Sequence, residues 1–352
     1  MKIKIAVLEK DKIYLERFVS SFSNKYFDKV ELYSFTDMDI ALETVRESRI
    51  DIFIASEAFD IASDEIPKKC VFAYFVESKD IESYKDCSVI CKFQRLDIIY
   101  KQILGLYAEV MENIAGIKRN IDSNMAIVTF VSASGGTGSS TVAAAYATRL
   151  ANQGKRVLYL NFEKYGHSGL FFTGEGKSSL SDIVYTVKSK KGNVMLKLES
   201  SIDVSPNGVY FLESCNNSMD AMEINEEDIE TILNGLRALN SYDVLVLDID
   251  FSLDGKEKLL LKYSDRVVFV SDGTDNSNLK FDRLYDVLLI LQQNDVMILN
   301  KSVMVYNRFK NNVSKTTQKD INVIGMIPKY AAVNNEQLVG EISNMTFFDN
   351  II

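Results

Sequence analysis

The stretch Ile127–Ala151 reads IVTFVSASGGTGSSTVAAAYATRLA, and it decides the fold of the chain. The β-branched run Ile127–Val131 predicts a buried strand, and the small residues after the glycines predict a helix. Gly135, Gly136 and Gly138 can adopt backbone angles closed to other residues, so successive N–H groups can converge on one point. The helix adds the positive end of its dipole. The stretch therefore predicts a strand, a loop and a helix that together bind an anion, most often a phosphate.

The loop follows the spacing of the P-loop pattern G-x-x-x-x-G-K-[ST], with two substitutions. Ala133 stands at the first glycine and Ser139 at the lysine, whereas Gly138 and Ser140 match the pattern. Three glycines alone would also fit a tight turn between a strand and a helix. The motifs further along the chain must therefore decide between a phosphate-binding loop and a simple tight turn.

The bulk composition is that of an ordinary globular protein of about two domains. The chain has 352 residues, of which 47% are hydrophobic and 25% are charged. Its net charge of -9 argues against nonspecific DNA binding through a basic face, and the run Lys188–Lys191 is typical of a solvated loop. We therefore expect no direct nucleic-acid partner.

The cysteines argue against a metal cluster or a disulfide framework. Cys70, Cys87, Cys91 and Cys215 show no CxxC pairing, and His167 is the only histidine. Charge enters too soon after the N-terminus for a secretory signal, and no apolar run is long enough to span a membrane. We expect a cytoplasmic, reduced protein without an integral membrane segment.

Residues 1–118 alternate between strand and helix patterns. Strands are predicted at Ile3–Leu8, Val30–Ser34, Ile50–Ala55, Val71–Val76 and Ser88–Lys92, and helices at Ile13–Phe22, Met38–Arg46 and Leu96–Ile114. Such alternation indicates a doubly wound α/β domain with a parallel sheet. In order and length this domain resembles the receiver domain of response regulators.

The receiver resemblance implies a phosphoacceptor aspartate at the end of the third strand, but Ser56 occupies that position. Glu9 and Asp11 can supply the acids that follow the first strand, and Lys92 stands where a receiver has its lysine. The neighbouring Glu57 is a poor substitute, because successive side chains of a strand point to opposite faces. Without a carboxylate there, no aspartyl phosphate can form. The domain is expected to be a pseudo-receiver that docks something.

Residues 119–352 form a second predicted α/β domain. The chain turns polar after Glu109, which sets the boundary at residues 118 and 119. Strands are predicted at Val157–Phe162, Val209–Leu212, Tyr242–Ile249, Asp265–Ser271, Lys301–Asn307 and Val323–Ile327, and helices at Ser179–Tyr185, Glu226–Leu239 and Leu279–Gln292. We predict a second doubly wound parallel sheet, with the phosphate loop at the carboxyl ends of its strands.

Four landmarks in this domain resemble the MinD/ParA branch of P-loop ATPases, the deviant Walker A family. They are SASGGTGSST at 132–141, NFEKYGHSG at 161–169, YDVLVLDID at 242–250, and the pair MVYNRF at 304–309 and GMIPKY at 325–330. They stand for the phosphate loop, switch I, the Walker B strand and the adenine pocket, in the family's order. With a pseudo-receiver in front, the layout is similar to CpaE-type proteins associated with pilus assembly and polar localisation.

The resemblance implies ATP or ADP together with Mg²⁺ as ligands. It gives each landmark a chemical role in the site. Phosphate contacts would come from Gly135, Gly136, Thr137, Gly138, Ser139, Ser140 and Thr141, adenine-pocket contacts from Asn307, Arg308 and Pro328, Mg²⁺ ligation from Ser140 and Asp248, and water orientation in catalysis from Glu163.

The chain departs from the family at the residues that carry charge. The signature lysine corresponds to Ser134 and the second lysine to Ser139, while Asn161 and Glu163 stand at the switch I aspartates. Each missing charge-assisted contact is worth about 1.5–3 kcal/mol, or roughly one to two decades of affinity. ATP hydrolysis is expected to be slow or absent, because phosphoryl transfer needs stabilisation of transition-state charge. Arg308, Lys155 or Lys164 are the candidates to replace the lost charge.

Two functions stay open. The first is an ATP-binding switch for spatial positioning or pilus assembly that forms a nucleotide-dependent homodimer and binds a protein of the localisation or secretion machinery. The second is a nucleotide-independent scaffold made of a pseudo-ATPase and a pseudo-receiver. DNA segregation is disfavoured by the acidic charge.

The C-terminal stretch, Glu336–Ile352, carries no Lys or Arg. A membrane-binding amphipathic helix normally has basic residues on its polar face. The apolar residues of the stretch therefore predict a helix packed on the ATPase core, and any recruitment to a membrane is expected to come through a partner.

Overall fold

The computed structural model describes residues 2–110, 125–292, 297–331 and 334–352, and the chain forms two compact units. The first unit contains residues 1–115 and 190–200, and the second contains residues 116–189 and 201–352. The predicted domain boundary at residues 118 and 119 lies outside the described residues.

The first unit contains a parallel sheet with helices on both faces. Its strands are β1 (Ile3–Leu8), β2 (Val30–Phe35), β3 (Ile52–Ser56), β4 (Val71–Val76) and β5 (Ser88–Cys91), and its helices are α1 (Lys12–Lys25), α2 (Met38–Glu47), α3 (Leu96–Val110) and α6 (Val194–Ser201). The strand order β2-β1-β3-β4-β5 and the parallel pairing confirm the predicted doubly wound fold. Predicted and observed strand bounds differ by at most two residues at any end.

The second unit contains a larger sheet. Its strands are β6 (Ala126–Val131), β7 (Val157–Asn161), β8 (Asp203–Val204), β9 (Tyr210–Phe211), β10 (Val244–Asp248), β11 (Arg266–Ser271), β12 (Ser302–Phe309) and β13 (Asn322–Pro328); its helices are α4 (Ser139–Asn152), α5 (Leu180–Ser189), α7 (Ser218–Glu223), α8 (Glu226–Leu239), α9 (Gly255–Tyr263), α10 (Asp275–Gln292) and α11 (Asn335–Ser343). Within the described residues the order is β13-β12-β11-β6-β10-β7-β9-β8. Only the edge pair β8 and β9 is antiparallel there.

The strand β6 lies inside this sheet, between β10 and β11. All five residues Ile127–Val131 are fully buried, as expected for a strand covered on both faces. The small residues Ala143–Ala145 let α4 pack closely on the sheet, while its Tyr146 ring packs 5.5 Å from the Phe130 ring. The carboxyl ends of β6, β10 and β7 therefore meet at one edge, where the loop before α4 begins.

The C-terminal stretch packs on the core of the second unit, as predicted. The side chains of Val339 and Ile342 on α11, and of Phe348 and Ile351 beyond it, are buried in the same apolar cluster as α4. Among the described residues, no helix combines the length and the apolar character needed to cross a membrane.

An ion pair ties this C-terminal stretch to α4. Arg149 donates two hydrogen bonds to Asp349, at 2.8 and 2.6 Å, and Gln153 donates a third at 2.9 Å. The bonds from Arg149, and then the bond from Gln153, lower the pKa of the Asp349 carboxyl to about 2. In the unfolded chain the pKa of an aspartate carboxyl is about 3.9.

We predict that replacing Asp349 with asparagine lowers the melting temperature above about pH 5 but not near pH 2. A carboxyl with a depressed folded pKa stabilises the protein above its unfolded pKa, and this stabilisation is lost as the pH falls through the folded pKa. Differential scanning fluorimetry from pH 7 to pH 2 would measure the gap. Asp254→Asn is the control, since that exposed aspartate caps α9 without a side-chain hydrogen bond. A pH-independent gap would contradict the prediction.

Candidate nucleotide-binding site

The hydroxyl groups of the loop between β6 and α4 form hydrogen bonds within the loop. Ser132 donates to the Ser134 carbonyl oxygen at 2.8 Å, and Thr137 donates to the Ser132 hydroxyl at 2.9 Å. Gly136 and Gly138 have φ angles of 80° and 84°, in the left-handed region that favours glycine. A methyl group on Gly138 would overlap the side-chain amide of Asn307.

The backbone N–H groups of this loop are unused. In the described part of the chain, none of the N–H groups from Gly135 to Thr141 donates to a protein acceptor. Three of them belong to the first turn of α4, where N–H groups have no partner within the helix. The helix dipole adds partial positive charge at the same place. The loop therefore presents free N–H donors of the kind that bind anions, and the predicted phosphate contacts stay a prediction.

Of the two positions where the family has lysines, Ser134 is buried and Ser139 is half-buried. Ser134 is only 6% exposed, and the hydroxyl oxygens of Ser134 and Ser139 have no hydrogen-bond partner among the described residues. Buried polar atoms are nearly always paired, so unpaired hydroxyls indicate a place that a ligand or water completes. No side-chain cation comes from the loop itself, because residues 132–141 contain no Lys or Arg.

Asp248 ends β10 beside the loop and is fully buried. Its Oδ2 atom accepts from the Tyr159 hydroxyl at 2.7 Å and from the Asn161 amide at 2.9 Å. Its Oδ1 atom has no partner among the described residues. Burial, and then the negative charge of Glu163, raise the pKa of Asp248 to about 8.

Glu163 lies between the loop and the Walker B strand. Its Oε2 atom accepts from the Asn161 amide at 3.1 Å and from the Ser140 hydroxyl at 3.3 Å. Burial raises the pKa of Glu163, although these two hydrogen bonds oppose the rise. Ser140, Asn161, Glu163 and Asp248 thus form one connected group, so three of the four landmarks converge on one site.

These residues fit Mg²⁺ only together with a phosphate ligand. The described residues hold no group of three or more His, Cys, Asp or Glu side chains with metal-binding geometry. Mg²⁺ usually binds one or two protein groups and takes its other ligands from phosphates and water. The Ser140 hydroxyl and the unpaired Asp248 Oδ1 atom supply such a sparse set.

The fourth landmark reaches the loop from β12. The Asn307 amide donates to the Thr137 carbonyl oxygen at 2.8 Å, and the Arg308 guanidinium donates to the Gly136 carbonyl oxygen at 2.9 Å. Asn307 is buried, with 3% of its surface exposed, whereas Arg308 is exposed. Pro328 ends β13 and pairs with Phe309 in the sheet. Their predicted contact with adenine stays a prediction.

The structure also gives the positions of Lys155 and Lys164, the other two residues predicted to replace the lost charge. Lys155 follows the C-terminal end of α4, and its backbone N–H donates to Leu150. The 14-residue helix α4 is about 21 Å long, so Lys155 cannot reach the loop at its other end. The backbone N–H of Lys164 donates to Asp250 at 2.8 Å.

Tyr159 was not among the predicted site residues. It precedes Asn161 by two positions on β7, so the two side chains point to the same face of the sheet. A tyrosine in a fully buried strand needs a hydrogen-bond partner for its hydroxyl. This requirement is the feature of the sequence from which a polar contact of Tyr159 could have been predicted.

Comparisons with known proteins agree with this geometry. The family profile of the TadZ-like receiver domain matches residues 1–108, and the profile of an AAA domain matches residues 125–305. No curated protein matches the chain.

Two solved structures share the fold of the second unit. A ParA family ATPase from Chlorobium tepidum TLS is 18% identical, with a TM-score of 0.50 over 64% of this chain and 96% of that chain. The septum site-determining protein MinD from Pyrococcus horikoshii OT3, solved with Mg-ADP, is 16% identical, with a TM-score of 0.50 over 64% and 92%. The chain therefore belongs to the AAA-domain family, its second unit shares the fold of ParA and MinD proteins, and the TadZ-like receiver domain precedes the AAA domain in the sequence.

Proposed function

We propose that the protein is an ATP-binding switch of MinD/ParA type that acts in spatial positioning or pilus assembly and hydrolyses ATP slowly or not at all. The observation that carries this proposal is the unpaired, buried Oδ1 atom of Asp248 beside a loop whose N–H groups lack acceptors. Such atoms are costly to bury unless a ligand completes them. The protein would work in the cytoplasm, with a partner from the pilus or localisation machinery and a second copy of itself.

In this proposal the loop binds the phosphates of ATP or ADP through its N–H groups. Ser140 and Asp248 would hold Mg²⁺, which when bound neutralises charge on the phosphates. Asn161 and Tyr159 donate to one oxygen of Asp248, so they fix the carboxyl with its other oxygen free. Asn307 supports the loop from behind by its bond to Thr137.

Slow or absent hydrolysis is proposed for two reasons. Ser134 and Ser139 bring no charge to the developing negative charge of the transition state. Glu163 is also engaged by Asn161 and Ser140, so it must release at least one bond before it can orient a water molecule. Nucleotide binding tolerates the missing positive charge and the hydrogen-bonded Glu163 better than ATP hydrolysis does.

The second candidate function is a scaffold that works without nucleotide. It is favoured by the first unit, where Ser56 replaces the phosphoacceptor and is only 2% exposed. There the lysine and the acid that would serve phosphorylation instead bind each other, with Lys92 Nζ 3.3 Å from Glu9 Oε2. A receiver-like unit that cannot be phosphorylated in this way would act by binding a partner protein.

We predict that Ser140→Ala weakens binding of ATP with Mg²⁺ about tenfold and leaves Mg²⁺-free binding within about twofold. The hydroxyl acts through the metal, so its removal should cost affinity only when Mg²⁺ is present. Calorimetric titration with ATP and ADP, each with and without Mg²⁺, would measure this. Ser20→Ala, on the exposed side of α1, is the matched control.

The same titration separates the two candidate functions. Micromolar binding that depends on Mg²⁺ would support the switch. Absence of heat and of thermal stabilisation at millimolar ATP would contradict the switch and leave the scaffold.

A further inference from the structure

We propose that Arg308 supplies the positive charge for the nucleotide phosphates in place of the two lysines missing from the loop. The inference rests on the proposed nucleotide binding, and it decides between the two roles expected for Arg308, contact with the adenine and charge for the phosphates. Its basis is the position of the guanidinium, the backbone that holds it there and the charge that surrounds it.

The guanidinium lies against the phosphate loop. Its Nη1 atom donates to the Gly136 carbonyl oxygen at 2.9 Å, and its Nη2 atom lies 3.7 Å from where a Cβ atom of Gly138 would be. Both glycines belong to the stretch of the loop whose N–H groups are unused. A cation at this place therefore lies against the loop that would bind the anion.

The backbone at Arg308 has a left-handed conformation, and in this conformation the guanidinium lies against the loop. Arg308 has a φ angle of 56°, in the left-handed region that non-glycine residues rarely adopt. Asn307 holds it there, because the Asn307 Oδ1 atom accepts from the Arg308 N–H at 3.0 Å while its Nδ2 atom donates to Thr137. Such backbone strain costs about 1–3 kcal/mol and persists where the surrounding structure fixes it, often at ligand sites.

The charge of Arg308 is available. Within the described part of the chain, no carboxylate forms an ion pair with its guanidinium, although the site contains Glu163 and Asp248. A guanidinium can make two parallel hydrogen bonds to phosphate oxygens. Of the other two candidates, Lys155 lies at the far end of α4, and no hydrogen bond among the described residues places the Lys164 ammonium against the loop.

The test compares ligands that differ in phosphate number. Calorimetry with ATP, AMP and inorganic tripolyphosphate is performed on the full-length wild type and on Arg308→Gly. Glycine keeps the left-handed backbone, so this variant removes the side chain without adding strain. We expect ATP and tripolyphosphate to bind at least about tenfold more weakly, AMP to change by less than about threefold, and the melting temperature not to fall.

Two controls sharpen the result. Arg308→Lys should recover part of the ATP affinity, because it restores charge without the planar fork. Lys310→Ala removes an exposed cation two residues away and should leave all three affinities unchanged.

Equal losses for ATP and AMP would overturn the inference and return Arg308 to the adenine. Unchanged ATP affinity in Arg308→Gly would also overturn it, with nucleotide binding itself intact. A wild type that binds neither ATP nor tripolyphosphate would instead refute the proposed function, and the inference with it.

Discussion

Replacement of Lys92 by methionine is expected to lower the free energy of unfolding of the first unit by about 3 kcal/mol. Lys92 is 7% exposed and pairs with Glu9, which is 2% exposed. Within the described ranges, the ammonium has one other carboxylate nearby, that of Glu77, at 3.5 Å and largely exposed. Methionine preserves most of the volume but leaves the Glu9 charge buried without its counter-ion, and an unpaired buried charge is strongly destabilising.

Urea denaturation of the full-length chain, followed by far-UV circular dichroism, would measure this loss. Lys12→Met, at an exposed position on α1, is the control and should cost less than about 0.5 kcal/mol. The double variant Glu9→Gln with Lys92→Met should recover part of the loss, since a neutral amide can still accept from the N–H groups of Lys10 and Asp11. Equal costs for Lys92→Met and Lys12→Met would contradict the prediction.

Replacement of Gly138 by alanine is expected to destabilise the second unit by about 3 kcal/mol and to weaken ATP binding at least about tenfold. The left-handed φ angle of 84° penalises any side chain there. The added methyl group would also displace the Asn307 amide, which supports the loop at Thr137. Both effects act on Gly138, the N-cap residue immediately before α4.

Gly135 provides the matched control for this substitution. It belongs to the same loop, but its φ angle is not positive and a Cβ atom there would meet no atom within 4 Å. Gly135→Ala should therefore leave the free energy of unfolding within about 0.5 kcal/mol of the wild type. Thermal and urea unfolding of both variants would decide, and equal destabilisation would refute the conformational explanation.

The parts of the fold that local patterns determine were predictable. The strand Ile127–Val131, the glycine loop and the small-residue helix behave as their composition indicates, because each depends on neighbours in sequence. Asp248 at the end of an apolar strand was also predictable, since carboxyl ends of parallel strands meet at one edge.

Other features depend on contacts between distant residues. The helix α6, VMLKLESS, is short and is joined to the first unit through the bond from Asn193 N–H to the Ala108 carbonyl oxygen, 85 positions away. The bond from Arg308 to Gly136 spans 172 positions. Sequence spacing could suggest that Arg308 belongs to the site, but it could not place the guanidinium against Gly136, because that position depends on the left-handed φ angle of Arg308 and on a contact between distant residues.

The helix α6 also bears on how this protein can be divided. Residues 190–200 belong to the first unit although they lie inside the sequence of the second, so the polypeptide passes between the units three times. A fragment ending at residue 115 would lack Leu196, which packs on the apolar core of the first unit, and the partner of Lys29, Glu199. No single peptide bond separates the two units, so recombination could exchange the receiver-like part for another only by replacing two segments together.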